Sequence, residues 1–348
     1  MNKALNESSR RPTKAPDLGE QVKTWLLSTG APPLFIEAKP SAFPSVEASI
    51  DWIDSNQSLL DALLIDFGAI VFRGFAFKTA DDFDRFVSRY EQYSDGYVAG
   101  ASPRSSVVGN VMEATRLAPR FLIWLHQEMA YLPNYPSKIA FFGRKVPEQG
   151  GATIIGDMRE FTRRMPSAVR TRAEMLGVRG VRNYGPAGEG ARVARHPDDK
   201  PWDEGFGTRD RSEVETICEA MGIKPIWNSD GSLTVVSKTE AFANHPVTGE
   251  RIYRSLLHTN NRTYSAFGDN NPEWDESRKR QAFNTGYTLG DGEPLTTEES
   301  REIEGLVDDL IVRWKWQDGD IMLLDNLQVA HGRDPFVGER ETLVALLA

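Results

Sequence analysis

A series of short apolar runs, each closed by turn residues, sets the architecture open to this chain. They are Leu63–Phe75 (LLIDFGAIVFRGF), Phe121–Leu125 (FLIWL), Ile139–Phe142 (IAFF), Ala152–Ile155 after Gly150-Gly151, Trp314–Trp316, Ile321–Leu324 and Leu343–Leu347. Runs of this length, rich in β-branched and aromatic residues, read as buried strands. Asp-Gly, Asn and Pro-Phe turns between them suggest a barrel or jelly roll. Three helices are marked by caps. Thr79 with Asp82 precedes Phe83, Phe86, Val87 and Tyr90. Ser212 with Glu215 opens a helix lined by Val214, Ile217, Cys218 and Met221. Thr296 with Glu299 precedes Ile303, Leu306, Val307 and Leu310. These spacings put one apolar stripe on each helix. The helices do not alternate regularly with the strands, which argues against a doubly wound parallel sheet.

Composition narrows the function. The chain has 348 residues, is 40% hydrophobic and carries a formal charge of −9. That size allows one large domain or two ordinary ones. An acidic chain without clustered Lys and Arg is a poor binder of nucleic acid or of an anionic membrane. The single cysteine, Cys218, excludes an internal disulfide and a Cys-rich zinc module. No apolar run approaches the roughly 18 residues of a membrane span. Residues 1–17 lack the apolar stretch of a signal peptide, so a cytoplasmic protein is expected. Residues 1–20 read as a disordered tail, 93–118 as a long loop, and 170–280 as a long middle region.

Five histidines are present: His126, His196, His245, His258 and His331. His126-Gln127-Glu128 follows the strand FLIWL. In a strand, i and i+2 share a face, so His126 and Glu128 project together and Gln127 points away. With a second imidazole they would form a 2-His-1-carboxylate triad, which leaves open positions on Fe(II). The tripeptide alone is common by chance. Near the C-terminus, Asp325-Asn326 leads to His331-Gly332-Arg333-Asp334-Pro335-Phe336, and Arg340 follows nine positions after His331. Arginine suits the clamping of a carboxylate by paired hydrogen bonds. Thr153, after the Gly150-Gly151 turn, offers a hydroxyl to the same anion.

Together, H-x-E, GG-x-T and DN-x4-HGR-x-PF-x-G-x-R resemble the iron(II)/2-oxoglutarate dioxygenases of the taurine dioxygenase (TauD/TfdA) superfamily. The resemblance is nearest to the clavaminate synthase-like and syringomycin-type members that hydroxylate amino acids. GAIVFRGF (68–75), SPR (102–104), GVRGVRNYG (177–185), FGTRDRSEVE (206–215), HPVTGE (245–250) and GDGEPL (290–295) extend it over roughly residues 60–348. It implies a mixed α+β fold: a double-stranded β-helix (jelly-roll) core with helices outside, one domain over 21–348, and an insertion at about 170–280. It implies His126, Glu128 and His331 as iron ligands, and Thr153 and Arg340 as holders of the distal carboxylate of 2-oxoglutarate, with Arg333 ranked second for that clamp. Glu in the acid position argues against halogenating relatives, which carry Gly or Ala there. The implied cofactors are Fe(II), 2-oxoglutarate as cosubstrate, and O2, with succinate and CO2 as products. The implied partner is a small amino-acid-like substrate, free or carrier-tethered, in specialised metabolism. Desaturation, epoxidation and ring closure stay open beside hydroxylation. A zinc hydrolase is a weaker reading, since H-E-x-x-H and a general base are missing. A non-catalytic metal-binding jelly roll would not need Thr153 and Arg340 together.

Other residues read as structural. His245 lies in a turn-like stretch and His196 in a loop. Cys218, Trp314 and Trp316 fit a core. Gly185, Gly188 and Gly190 are in the wrong order for a dinucleotide loop, and Arg163, Arg164, Arg170 and Arg172 fit a solvated helix face. His258 and Arg104 are kept as candidate substrate contacts, Arg104 against the alternative of a loop-ordering salt bridge.

Overall fold

The computed structural model describes residues 12–94, 105–115, 117–188, 200–259 and 285–348. The first strands are β1 (Val22–Leu26), β2 (Leu34–Ala38), β3 (Ala69–Arg73), β4 (Ser106–Val108), β5 (Val111–Glu113), β6 (Ile123–His126) and β7 (Lys138–Lys145). Then come β8 (Gln149–Gly150), β9 (Thr153–Asp157), β10 (Val178–Tyr184), β11 (Lys224–Trp227), β12 (Leu233–Thr239), β13 (Phe242–Asn244) and β14 (Arg251–Tyr253). The last are β15 (Thr285–Leu289), β16 (Ile321–Asp325), β17 (Val329–Arg333), β18 (Phe336–Val337) and β19 (Glu341–Leu347). The helices are α1 (Val46–Phe67), α2 (Ala80–Val87), α3 (Met158–Arg164), α4 (Ser167–Leu176), α5 (Trp202–Phe206), α6 (Arg211–Ala220) and α7 (Thr297–Leu310).

Eight strands form the large sheet in the order β1-β2-β3-β16-β7-β19-β5-β4, antiparallel except for β2 and β3. A three-stranded sheet, β6-β17-β9, faces it. The pairing of these layers follows from alternation. In the central strands, Ile70, Phe72, Ala140, Phe142, Ile321, Leu323, Leu343 and Ala345 pack with Ile53, Leu60, Phe83 and Phe86 of α1 and α2. Their neighbours Val71, Ile139, Phe141, Met322, Leu324, Val344 and Leu346 pack on Ile155 and Val329 of the small sheet. Successive residues point to opposite faces, so a strand covered on both sides must be apolar throughout. Burying each large aliphatic or aromatic side chain contributes about 1.5–3 kcal/mol. The small sheet is covered in turn: Leu125, Ile154 and Ala330 pack on Met158, Phe161, Ile303 and Leu306 of α3 and α7. A further sheet, β11-β12-β10-β15, lies between the two ligand motifs in sequence.

Several local expectations are corrected. Leu63–Phe67 is not strand. It is the last turn and more of the 22-residue helix α1, which Gly68 ends in the left-handed region at φ 78. Only Ala69–Arg73 enters the sheet. Ser212 is not the cap of α6: Asp210 is, accepting from Ser212 N, while Glu215 instead accepts from Trp227 Nε1. Trp314–Trp316 is not a strand, and its two indoles stack in the core at 5.6 Å. The loop 93–118 contains the short β4–β5 pair among its described residues. The other two capping boxes, Thr79–Asp82 and Thr296–Glu299, form with both reciprocal hydrogen bonds. Arg163, Arg164 and Arg172 pair with Glu160, Asp309 and Glu299 on the surface. Of residues 1–20, only 12–20 are described, and Ala15 and Leu18 pack against the core edge. No helix among the described residues is long and apolar enough to cross a membrane.

Candidate active site

The small sheet builds the site. β6 and β17 are antiparallel, and their register sets His126 directly opposite His331. The two imidazole centroids lie 4.4 Å apart. Glu128 Oε2 lies 3.7 Å from His331 Nε2, and the ligand atoms of His126, Glu128 and His331 all fall within 4.8 Å of one another. Glu128 and His331 are buried. Close approach of the two strands depends on Gly332, because a Cβ there would stand 2.3 Å from Ile123 O.

His126 Nδ1 is 2.8 Å from Trp124 O. A hydrogen on Nδ1 donated to that carbonyl leaves Nε2 for a metal, the usual way a ligating imidazole is oriented. The strand ends at His126, so Glu128 is not placed by the ladder. It sits in a turn whose next residue, Met129, is left-handed at φ 56. Gln127 points away as expected, donating to Tyr253 O and Leu327 O. Among the described residues only these three side chains form a group able to hold a metal. Two neutral nitrogens and one carboxylate suit Fe(II), and three protein ligands leave positions for other molecules.

Thr153, Ile155, His331 and Arg333 alternate onto one face of β9 and β17, with Arg333 opposite Thr153 and His331 opposite Ile155. At about 3.4 Å per residue, Thr153 is roughly 7 Å along the sheet from His331. Arg340 reaches back to this point, with Nη2 3.4 Å from Thr153 Oγ1 and Nε 3.2 Å from Gly151 O. It makes no ion pair among the described residues. Burial, with Arg333 nearby, pushes its guanidinium down to about 9. Such a cation lacks only an anion. Gly151 leaves space for the arginine: a Cβ there would meet Pro147 Cγ at 2.5 Å and Arg340 Cδ at 3.2 Å.

Arg333 does not share that arrangement. It donates to Leu117 O, Ala118 O and Phe121 O and ties the loop before β6 to β17. His258 is buried, with Nε2 2.8 Å from Leu125 O, so it braces the backbone beside His126. Arg104 and His196 lie outside the described residues. His245 is buried in a structural contact, Nε2 to Asp325 Oδ2 at 2.9 Å. Sequence reading assigned no part to Asn326, Gly332 or Gln127. Their contacts cross the chain by up to 200 residues, and only their place inside quoted motifs marked them.

Comparison with known proteins agrees with this geometry. The sequence model of the "Taurine catabolism dioxygenase TauD, TfdA family" matches residues 37–346. A clavaminate synthase-like protein of Arabidopsis thaliana is 31% identical over 299 residues, covering 84% of this chain and 86% of that protein. The dapdiamide synthesis protein DdaC of Enterobacter agglomerans is 28% identical over 310 residues, covering 86% and 88%. Among solved structures, a taurine dioxygenase from Burkholderia xenovorans superposes with a TM-score of 0.50 at 16% identity, covering 94% of this chain and 89% of that one. PvcB, described as an Fe, alpha-ketoglutarate dependent oxygenase from an isonitrile synthetic pathway, gives 0.50 at 15%, covering 96% and 94%. These two likenesses establish the jelly-roll fold. The chain belongs to the TauD/TfdA family and is an Fe(II)/2-oxoglutarate-dependent dioxygenase, using Fe(II), 2-oxoglutarate and O2.

Proposed function

We propose that His126, Glu128 and His331 hold the ferrous ion, that Arg340 and Thr153 hold the distal carboxylate of 2-oxoglutarate, and that the enzyme hydroxylates an unactivated C–H bond of an amino acid or amino-acid-derived substrate, free or carrier-tethered. The observation that carries this reading is the pairing of two features on one sheet face. His331 of the three-residue cluster lies about 7 Å along the strands from Thr153, whose hydroxyl is met by Arg340, a partly buried arginine with no carboxylate of its own among the described residues. That separation suits a short dicarboxylate whose keto-acid end meets the metal. The substrate class is supported by the relatives' names, one a dapdiamide synthesis protein and one clavaminate synthase-like.

Bound iron supplies oxygen activation, coupled to decarboxylation of 2-oxoglutarate to succinate and CO2. The chain supplies position and exclusion of water. His126, fixed by Trp124 O, and His331, against the Phe141 ring at 4.9 Å, present nitrogens from facing strands. Ile155, Val329 and Phe141 keep that face apolar. Arg340 and Thr153 orient the cosubstrate so that its reacting end has one approach. No general base is required beside the metal, and no such dyad stands in the motifs.

The test has two parts. Anaerobic addition of Fe(II) and 2-oxoglutarate should give a visible charge-transfer absorbance, and its absence would remove the metal and cosubstrate assignment. Free and carrier-bound amino acids should then be screened for succinate release and a product mass gain of one oxygen. If only substrates unrelated to amino acids stimulate succinate release, the substrate class is wrong while the site stands.

A further inference from the structure

Glu128 lies beyond the end of β6, so something other than the sheet must place its carboxylate. The contacts around it point to the turn between β16 and β17. Asn326 is buried at 1% exposure and spends its whole carboxamide on this region. Its Oδ1 accepts from Glu128 N at 2.8 Å, and its Nδ2 donates to Glu128 O at 3.0 Å and to Pro136 O at 2.8 Å. Both polar groups of Glu128's main chain are thus held by one side chain 198 residues away. Only a carboxamide offers one acceptor and two donors in a plane: aspartate lacks the donors and serine has one. Met129, next in the chain, sits at φ 56, a conformation that costs about 1–2 kcal/mol for a residue with a Cβ. Released, the turn would relax and carry the carboxylate with it.

The turn bearing Asn326 is itself held. Asp325 Oδ1 accepts from Leu327 N and Gln328 N, both at 2.9 Å, and Asp325 Oδ2 faces His245 Nε2 at 2.9 Å. His245 Nδ1 accepts from Val247 N and Thr248 N, so Nε2 carries the hydrogen and donates it to Asp325. Gln328 Nε2, 3.2 Å from the same nitrogen, is a neighbour there and gives its Oε1 to Arg159. This gives the HPVTGE motif a reason to be in the chain.

We propose that Asn326 is a positioning residue that sets the metal-binding geometry of Glu128, and that His245, through Asp325, holds the turn that carries it. The proposal rests on the reading of Glu128 as a metal ligand. The test is anaerobic Mn(II) titration, followed by the electron paramagnetic resonance of the free ion, on Asn326→Asp and His245→Ala, with Ser49→Ala as control. Ser49 is fully buried and accepts from Ala76 N at 3.0 Å on the far side of the large sheet. Its loss lowers stability without touching the site. Asn326→Asp should weaken Mn(II) binding roughly 10- to 100-fold, the range for partners of metal ligands. His245→Ala should act in the same direction and less, and Ser49→Ala should leave affinity within about twofold of wild type. Wild-type affinity in folded Asn326→Asp, or in His245→Ala should the first not fold, overturns the proposal. So does equal weakening in Ser49→Ala at a matched loss of melting temperature. Failure of the unaltered protein to bind Mn(II) overturns the ligand reading itself and this proposal with it.

Discussion

At the scale of single residues, two arginines on either side of β18 are bonded differently. Arg333 donates to three backbone carbonyls through its two terminal nitrogens, whereas Arg340 has a hydroxyl and one carbonyl. Below about 9 the Arg340 guanidinium is charged in folded and unfolded chains alike, so its desolvation cost stands in full at pH 7, and a dicarboxylate bound as proposed would relieve it. Arg340→Met should therefore leave the ligand-free melting temperature unchanged or higher. It should also abolish the rise that 2-oxoglutarate causes and increase KM for 2-oxoglutarate by roughly 30-fold or more. Arg333→Met should do the reverse, costing roughly 2–4 kcal/mol of stability and keeping the 2-oxoglutarate shift. Thermal melts with and without cosubstrate separate the two, and equal behaviour would dissolve the distinction. Alanine at His126, Glu128 or His331 should each abolish oxygen-dependent succinate formation, measured by chromatography. A variant retaining full turnover is not a ligand. The i, i+2 spacing of His126 and Glu128 marked a candidate pair that is common by chance, and only the family resemblance joined the distant His331 to it. Asn326 was assigned no part, because its role exists only once two distant turns meet.

At the scale of elements, a short apolar run does not declare its own period. Leu63–Phe67 reads as the start of a strand but completes α1, whose buried positions Ile50, Ile53, Leu60, Leu63, Leu64 and Phe67 keep a helical spacing back to Ser45. The polar stretch Asp54–Ser58 in the middle hid that continuity. Gly68 is where the period changes from 3.6 to 2, and it is the only residue type at ease there. A Cβ would stand 2.7 Å from Val329 Cγ2 in a left-handed backbone. The caps at Thr79 and Thr296 were legible because their hydrogen bonds are local, while Asp210 took the part expected of Ser212 by being two residues nearer the turn. Gly332 joins elements instead of ending one. Gly332→Ala places a Cβ 2.3 Å from Ile123 O and 3.1 Å from Trp124 C, backbone atoms that yield only if β6 moves off β17. A loss of about 1–3 kcal/mol in urea unfolding, together with lost Mn(II) binding, is expected. Full metal affinity in this variant would show that the His126–His331 register does not depend on that close approach.

At the scale of the whole molecule, a barrel or jelly roll was readable from short buried strands set between turns, and the family resemblance chose the jelly roll. The order of the large sheet was not readable, since β1-β2-β3 and β16 come together from opposite ends of the chain. The consequence is that the site shares its core with remote parts. Phe141, Ile155 and Val329 around the ligands belong to one apolar cluster with Val214 and Cys218 of α6. Cys218 is fully buried, and burial pushes its thiol up to about 12. At pH 8 the thiolate fraction is then on the order of 10⁻⁴, and the sulfur is shielded as well. An aromatic disulfide reagent should therefore find no reactive thiol in the native protein and one in urea. Labelling requires an opening that reaches this cluster. If the cluster opens as a unit, Mn(II) and 2-oxoglutarate, each at about 100 times its dissociation constant, must be released first. Each then adds about 2.7 kcal/mol to the opening, so labelling should slow by roughly 100-fold per ligand. If α6 instead frays alone, the rate is indifferent to both ligands. Labelling followed at 412 nm with and without ligands decides between these, and an unchanged rate would mean that the shared core does not couple α6 to the site.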